Sequence, residues 1–174
     1  MFVRHLLSIA ALPFVVAVLV PVRLARTNNI SAALGPTAPR IFAQIAGLLL
    51  VALGLFLFVA SLQRFASEGE GTLAPWDPPR RLVLRGPYRY VRNPMISGVL
   101  FVLFGEALIL LSRPHLMWAL IFLGANFLWI PLVEESGLRR RFGDSYVEYC
   151  RHVPRLVPRL RPWQPEDRGV DRVS

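Results

Sequence analysis

Lysine is absent from the chain, cysteine occurs once, at Cys150, and histidine three times, at His5, His115 and His152. A single cysteine excludes an intramolecular disulfide and any multi-cysteine metal cluster. The three histidines are scattered without metal-ligand spacing, so no metal is assigned. No Gly-x-Gly-x-x-Gly run is present, so a dinucleotide fingerprint is missing as well. Acids are scarce: eleven stand against twenty arginines. The absence of lysine fits a GC-rich coding bias, and it also leaves guanidinium, the group best matched to phosphate oxygens, as the sole side-chain cation besides histidine.

Apolar residues make up 54% of the 174 positions, which is one domain's worth of chain. A soluble protein this apolar would be unusual, and a nucleic-acid binder has no need of such long apolar runs. Grease and charge are segregated along the sequence, as a bilayer requires. The fold class expected is therefore all-α: a polytopic membrane protein of about four transmembrane helices plus a C-terminal amphipathic interfacial helix, since a span takes roughly 20 apolar residues. The four candidate spans are residues 6–22, 41–62, 95–112 and 115–133. The first contains Pro13, where a kink is expected, and it reads as a retained anchor because Pro21 interrupts the place a cleavage site would take. Only Arg113 and Pro114 separate the last two spans, which predicts a tight antiparallel hairpin.

Two hairpins put the N-terminus, residues 63–94 and the tail 134–174 on one face, with sixteen arginines against four on the other. The positive-inside bias assigns that face, and both termini, to the cytoplasm, in a bacterial inner membrane. Residues 63–94 are dense in Pro and Gly and read as a structured loop. Beyond the fourth span, Leu138, Phe142, Tyr146 and Tyr149 recur at helical spacing with charges between them, an amphipathic pattern. The chain thus divides into two N-terminal spans (1–62), a core of loop, hairpin and amphipathic helix (63–160) and a tail (161–174) expected to be disordered.

Two polar features flank the predicted hairpin: Gly86-Pro87-Tyr88-Arg89-Tyr90-Val91-Arg92-Asn93-Pro94 before it and Glu134-Glu135 after it. Antiparallel helices packed about 8–10 Å apart would bring both to one ligand. Asn93 is a candidate N-cap with Pro94 at the first helical position, and a helix N-terminus attracts a carboxylate. Glu134 and Glu135 offer negative charge to an amine, a ribose or a sulfonium, and Tyr88 and Tyr90 offer ring faces to a cation or an aromatic ring. S-adenosylmethionine carries all of these groups. Each feature also has a plainer use: a helix cap, an aromatic belt at the interface, and acids favouring a helix N-terminus.

The joint order of the two features is more specific than either alone. Leu82-Val83 leading into Gly86-Pro87-Tyr88 and Arg92-Asn93-Pro94, followed by Glu134-Glu135-x-x-Leu138, Phe142-Gly143, Tyr146, Tyr149 and Val153-Pro154, resembles the isoprenylcysteine carboxyl methyltransferase and phospholipid methyltransferase family over roughly residues 64–160. The resemblance implies an integral membrane methyltransferase using S-adenosylmethionine. It implies that Leu82, Val83, Tyr88, Asn93, Pro94, Met95, Ile96 and Glu134 contact the cofactor, with Glu135 beside them. Asn93 stands where well-known members have His, Ile96 where they have Tyr, and Ile130 where prenylcysteine enzymes place an Arg. The last difference argues against a prenylcysteine carboxylate as acceptor.

The expected function is methyl transfer to a lipid-like or hydrophobic acceptor, through a carboxyl, amine or thiol, with Glu134 and Glu135 as the proton acceptors available to an amine. The partners expected are that acceptor and membrane lipids, with no nucleic acid. The alternative is a non-catalytic membrane protein whose basic loops bind anionic lipid or a protein partner. Glu106 and Asn126, polar groups inside the third and fourth spans, have two readings: a functional role, the default for an ionisable group in hydrocarbon, or the weightier one, a mutual hydrogen bond that locks the hairpin.

Overall fold

The computed structural model describes residues 12–30, 37–68 and 82–164, and all regular structure among them is helical. Residues 6–11 of the first expected span, the Pro/Gly-rich stretch 69–81 and the tail beyond 164 lie outside the described residues.

The first helix, α1 (Val20–Thr27), is entered through a π-helical turn, Val15–Leu19. The irregularity lies midway between Pro13 and Pro21. Pro21 has no N–H to donate, and the Val20 amide reaches back to Val15 O, so Val16 O has no helical donor. The Trp118 indole N–H takes up that carbonyl at 3.0 Å, as an apolar environment demands of a freed backbone group. His115 Nε2 meets Pro21 O at 3.1 Å, while its Nδ1 lies 2.7 Å from Ser112 Oγ, fixing the first helix to the hairpin turn.

The second helix, α2 (Ala38–Glu68), has no Pro past its first turn and outruns the expected span at both ends. Its last six residues, which the sequence places in the loop, stay helical because nothing before Gly69 breaks the pattern. The hairpin follows as α3 (Pro94–Leu110) and α4 (Arg113–Trp129). Leu111 closes α3 in the left-handed region (φ 47°), and the Ser112 side chain caps α4 by accepting from the His115 amide.

Four glycines set the α2–α3 packing. A Cβ at Gly54 would stand 2.5 Å from Gly98 O, and one at Gly98 2.7 Å from Gly54 O. Gly47 and Gly105 repeat the arrangement one heptad away, at 2.7 and 2.6 Å. Backbone therefore touches backbone at two levels, the small-residue contact that joins helices where no hydrophobic effect can. Gln44 adds a hydrogen bond to Ile109 O at 3.2 Å.

No loop separates the fourth span from the expected amphipathic helix. Helix α4 passes through a π-turn, Ile130–Glu134, directly into α5 (Glu135–His152). Pro131 lacks the N–H a regular turn would use, and the Glu135 amide bonds five residues back to Ile130 O. One residue of extra winding rotates everything downstream by about 100° relative to α4. Gly143 (φ 52°, ψ −132°) then breaks α5 internally, so the helical spacing read from Leu138 to Tyr149 spans a kink.

Ala38–Arg64 and Arg113–His152 are long and apolar enough to cross a membrane, and Pro94–Leu110 is a shorter apolar helix. Their outward faces expose Phe42, Leu49, Phe56, Phe127 and Leu128, the surface a lipid environment covers. The Glu106–Asn126 pair does not form. Asn126 donates to Phe122 O one turn back on its own helix (2.8 Å), and Glu106 Oε2 is buried without a partner among the described residues.

Candidate active site

The segment before α3 runs without regular structure from Leu82 to Leu84, is extended at Arg85, turns through Gly86 (φ 58°) into one 3-10 turn, Gly86–Arg89, and enters α3 at Pro94. A second, irregular segment, residues 153–164, lies along it. Arg92 and Asn93 donate their amides to Pro154 O (2.8 Å) and Arg155 O (3.2 Å), Arg159 donates to Tyr90 O (3.0 Å), and Trp163 to Arg89 O (2.9 Å). Tyr149 Oη on α5 donates to Tyr88 O at 2.6 Å. The loop thus has its backbone groups satisfied partly within its own 3-10 turn and partly by the C-terminal part of the chain, with no sheet involved.

Between the loop and α5 lies a cavity lined by Leu82, Val83, Tyr88, Arg92, Asn93, Pro94, Met95 and Ile96 from one side. Glu134, Leu138, Phe142, Tyr146 and Tyr149 close the other. The hairpin therefore returns the two sequence features to one site. All eight residues implied as cofactor contacts lie on this wall: Leu82, Val83, Tyr88, Asn93, Pro94, Met95, Ile96 and Glu134.

Glu135 does not. It is 3% exposed and points away from the cavity into a pair of guanidiniums. Arg92 Nη1 donates to its Oε1 at 2.9 Å, Arg155 Nε to the same oxygen at 2.7 Å, and Arg155 Nη2 to Oε2 at 3.0 Å. The two adjacent acids, grouped as proton acceptors from the sequence, are separated by the helical rotation between them. Glu134 keeps an open face on the cavity, while Glu135 joins loop, α5 and the 153–164 segment. Ile130, four residues before Glu134, is fully buried and off the cavity wall. Tyr90, grouped with Tyr88 as a ring face, also stands outside the lining and uses its carbonyl to hold Arg159.

Asn93 occupies the N-cap position of α3 but does not cap with its side chain. Its Nδ2 donates to Arg155 O at 3.3 Å, and Ser97 Oγ takes the first-turn carbonyl, Asn93 O, at 2.9 Å. The early amides at Met95 and Ile96, both cavity residues, are left without a side-chain cap. Arg92 Nε is likewise buried without an acceptor among the described residues.

Electrostatically, the Glu134 carboxyl is raised above the ordinary carboxylate range, first by the apolar walls around it and then by the Glu135 charge. Burial, then the Glu134 charge, raises the Tyr88 phenol, and burial raises Tyr146 and Tyr149, so all three stay protonated hydroxyls. Arg155 is raised first by its hydrogen bond to Glu135. The cavity therefore combines an apolar, aromatic surface with one carboxyl, phenolic groups, an unused guanidinium N–H and an uncapped helix start.

Leu138, Phe142, Tyr146 and Tyr149 were visible in sequence as one amphipathic face, but their place opposite Leu82–Val83 required the Pro131 π-turn. Arg155 and the segment around it carried only a weak signal, the Val153-Pro154 pair.

A sequence profile of the phospholipid methyltransferase family matches residues 42–145, well over half of the chain. The protein belongs to that family. A methanethiol S-methyltransferase 2 of Bradyrhizobium diazoefficiens is 37% identical over 76 residues, covering 42% of this chain and 27% of that protein. A phosphatidylethanolamine N-methyltransferase of Zygosaccharomyces rouxii is 28% identical over 108 residues, 61% of this chain and 12% of that protein. The chain thus spans about a quarter and about an eighth of the length of these relatives. No solved structure matches it.

Proposed function

We propose that the protein is an integral membrane methyltransferase whose cofactor is S-adenosylmethionine and whose acceptor is lipid-like or otherwise hydrophobic. The observation that carries this reading is the single cavity walled by both family motifs, residues 82–96 on one side and Glu134 with α5 on the other. Family membership supports the reaction type. The two relatives' names point to sulfur in one case and nitrogen in the other, so the acceptor atom is not inherited from either.

The donor set fits this cofactor. The uncapped start of α3 and the unused Arg92 Nε suit a carboxylate. The apolar patch of Leu82, Val83, Leu138 and Phe142 suits a purine face. When bound, the cofactor supplies a methyl group on a sulfonium. Glu134 and the ring faces of Tyr88 and Tyr146 place one negative charge and aromatic quadrupoles where a cation is favoured. Glu134 also receives the proton when the acceptor is an ammonium, and its raised carboxyl suits that exchange. Glu135 does neither. It positions Arg92 and the loop through the double ion pair. The chain's main contribution is alignment of donor and acceptor in a water-poor cleft.

The acceptor enters laterally from lipid along the apolar residues Met95, Ile96, Leu138 and Phe142. The arginine-rich face, which carries the site and both termini, is cytoplasmic in a bacterial inner membrane, and four spans complete the topology. Incubating membranes containing the protein with methyl-labelled S-adenosylmethionine, then separating lipid, protein and small-molecule fractions, tests the reading. Label in a lipid or hydrophobic fraction, lost with Glu134→Gln, is expected. Label in no fraction would overturn it.

A further inference from the structure

Residues 153–164 carry a feature that methyl transfer does not use. The sequence there is a four-residue unit written twice, Pro154-Arg155-Leu156-Val157 and Pro158-Arg159-Leu160-Arg161. Proline every fourth residue forbids a helix, and the segment is irregular with repeated bends. The first unit faces inward: Arg155 grips Glu135, and Leu156 O accepts from Ser97 Oγ at 2.7 Å. Val157 at the end of the first unit, with Leu160 and Arg161 of the second, faces outward, while Arg159 is half-buried and donates its guanidinium to His152 O at 2.6 Å. Leu160 is 98% exposed and Val157 74%, the two most exposed large apolar side chains of the described residues. Arg161 is exposed beside them, and neither Arg159 nor Arg161 meets a carboxylate among the described residues.

The depth of this segment is fixed by its anchor. Ser97 lies one turn inside α3, an apolar helix of 17 residues whose first residue is Pro94. A backbone pinned to Ser97 therefore sits where that helix leaves the hydrocarbon, the level at which a lipid leaflet changes from acyl chains to headgroups. Apolar tips flanked by guanidiniums that no carboxylate neutralises among the described residues match one environment chemically at that level: acyl chains below and headgroup phosphates beside them.

We propose that residues 153–164 form an interfacial strap that inserts Val157 and Leu160 into an anionic leaflet, with Arg159 and Arg161 on headgroup phosphates. The strap is bonded through Pro154 O and Arg155 O to the amides of Arg92 and Asn93, two residues of the cavity wall, so anionic lipid also steadies that wall. The membrane placement rests on the reading above. The lipid contact itself does not depend on methyl transfer, and it can be measured without cofactor.

The test places an environment-sensitive fluorescent amino acid at position 160 of the full chain, reconstituted in nanodiscs of phosphatidylcholine alone or with phosphatidylglycerol. Blue-shifted emission quenched by shallow spin-labelled lipid is expected in the anionic discs and weakly in the neutral ones. Arg159→Gln and Arg161→Gln should each lower the inserted-to-free ratio about fivefold. Both side chains lie off the cavity wall, so folding of these variants is checked by unchanged helical circular dichroism. Aqueous, unquenched emission in both lipids would overturn the proposal, as would insertion equal in both lipids, or crosslinking of position 160 to a second protein copy. The wild-type comparison of the two lipids decides the matter even if a variant fails to fold.

Discussion

Glu135→Ala removes the acceptor of three charge-assisted hydrogen bonds, at 2.7, 2.9 and 3.0 Å, and leaves two guanidiniums facing each other with no counter-charge. Arg92 is 11% exposed and Arg155 26%, so water reaches the second better than the first and rescues neither fully. Stranding one side of a buried ion pair costs about 3–5 kcal/mol, and in a chain of this length each kcal/mol lowers Tm by roughly 2–4 °C. The expected loss is therefore roughly 6–20 °C, read by thermal unfolding of detergent-purified protein. Glu135→Gln keeps an acceptor oxygen without the charge and should fall between. Replacing the whole triad with apolar residues, as in Arg92→Met, Glu135→Leu and Arg155→Leu together, should cost less than Glu135→Ala alone, because no charge is then left buried. A Glu135→Ala protein within about 0.5 kcal/mol of wild type would refute the claim that this carboxylate joins loop, α5 and strap.

Glu134→Gln should leave Tm nearly unchanged and lower kcat/KM by roughly 10²-fold or more, in methyl-transfer assays with an amine acceptor. Because the folded Glu134 carboxyl is raised, the native state holds its proton more tightly than the unfolded chain. The stability from this group is full below the ordinary carboxylate range and falls as pH rises through the raised value, so Glu134→Gln should remove that decline in a pH series of unfolding curves. Gly54→Ala and Gly98→Ala force a Cβ to within 2.5–2.7 Å of a facing carbonyl, and each should destabilise by about 1–3 kcal/mol. Gly124→Ala meets nothing within 4 Å and should instead stabilise by up to about 1 kcal/mol, which makes it the matched control in the same melts.

Much of this architecture could be read from letters. Long uncharged runs gave the helical segments, the Arg113-Pro114 break gave the hairpin, and the order of the two motifs led to a shared site because a hairpin returns its ends to one level. What could not be read was rotational phase. Glu134 and Glu135 look equivalent in sequence, yet adjacent helical residues diverge by about 100°, and only the π-turn at Pro131 decides which of them meets the cavity. The Glu106–Asn126 pairing failed for a related reason: Asn126 satisfies itself on its own helix, at Phe122 O. Asn93 looked like a cap, but a partner from sixty residues away, Arg155 O, takes its amide. The heptad-spaced glycines at 47, 54, 98 and 105 were legible in principle, since seven-residue spacing on two adjacent apolar helices marks a close contact.

Titration of the detergent-purified protein with S-adenosylhomocysteine, followed by thermal unfolding, tests the assignment of the cavity most directly. Saturable binding with stabilisation growing by about 1.4 kcal/mol per tenfold excess over Kd is predicted, and filling the cavity with Val83→Trp should abolish it while leaving the fold intact. Unfolding curves that do not move at millimolar ligand would contradict the assignment of this cavity to the cofactor.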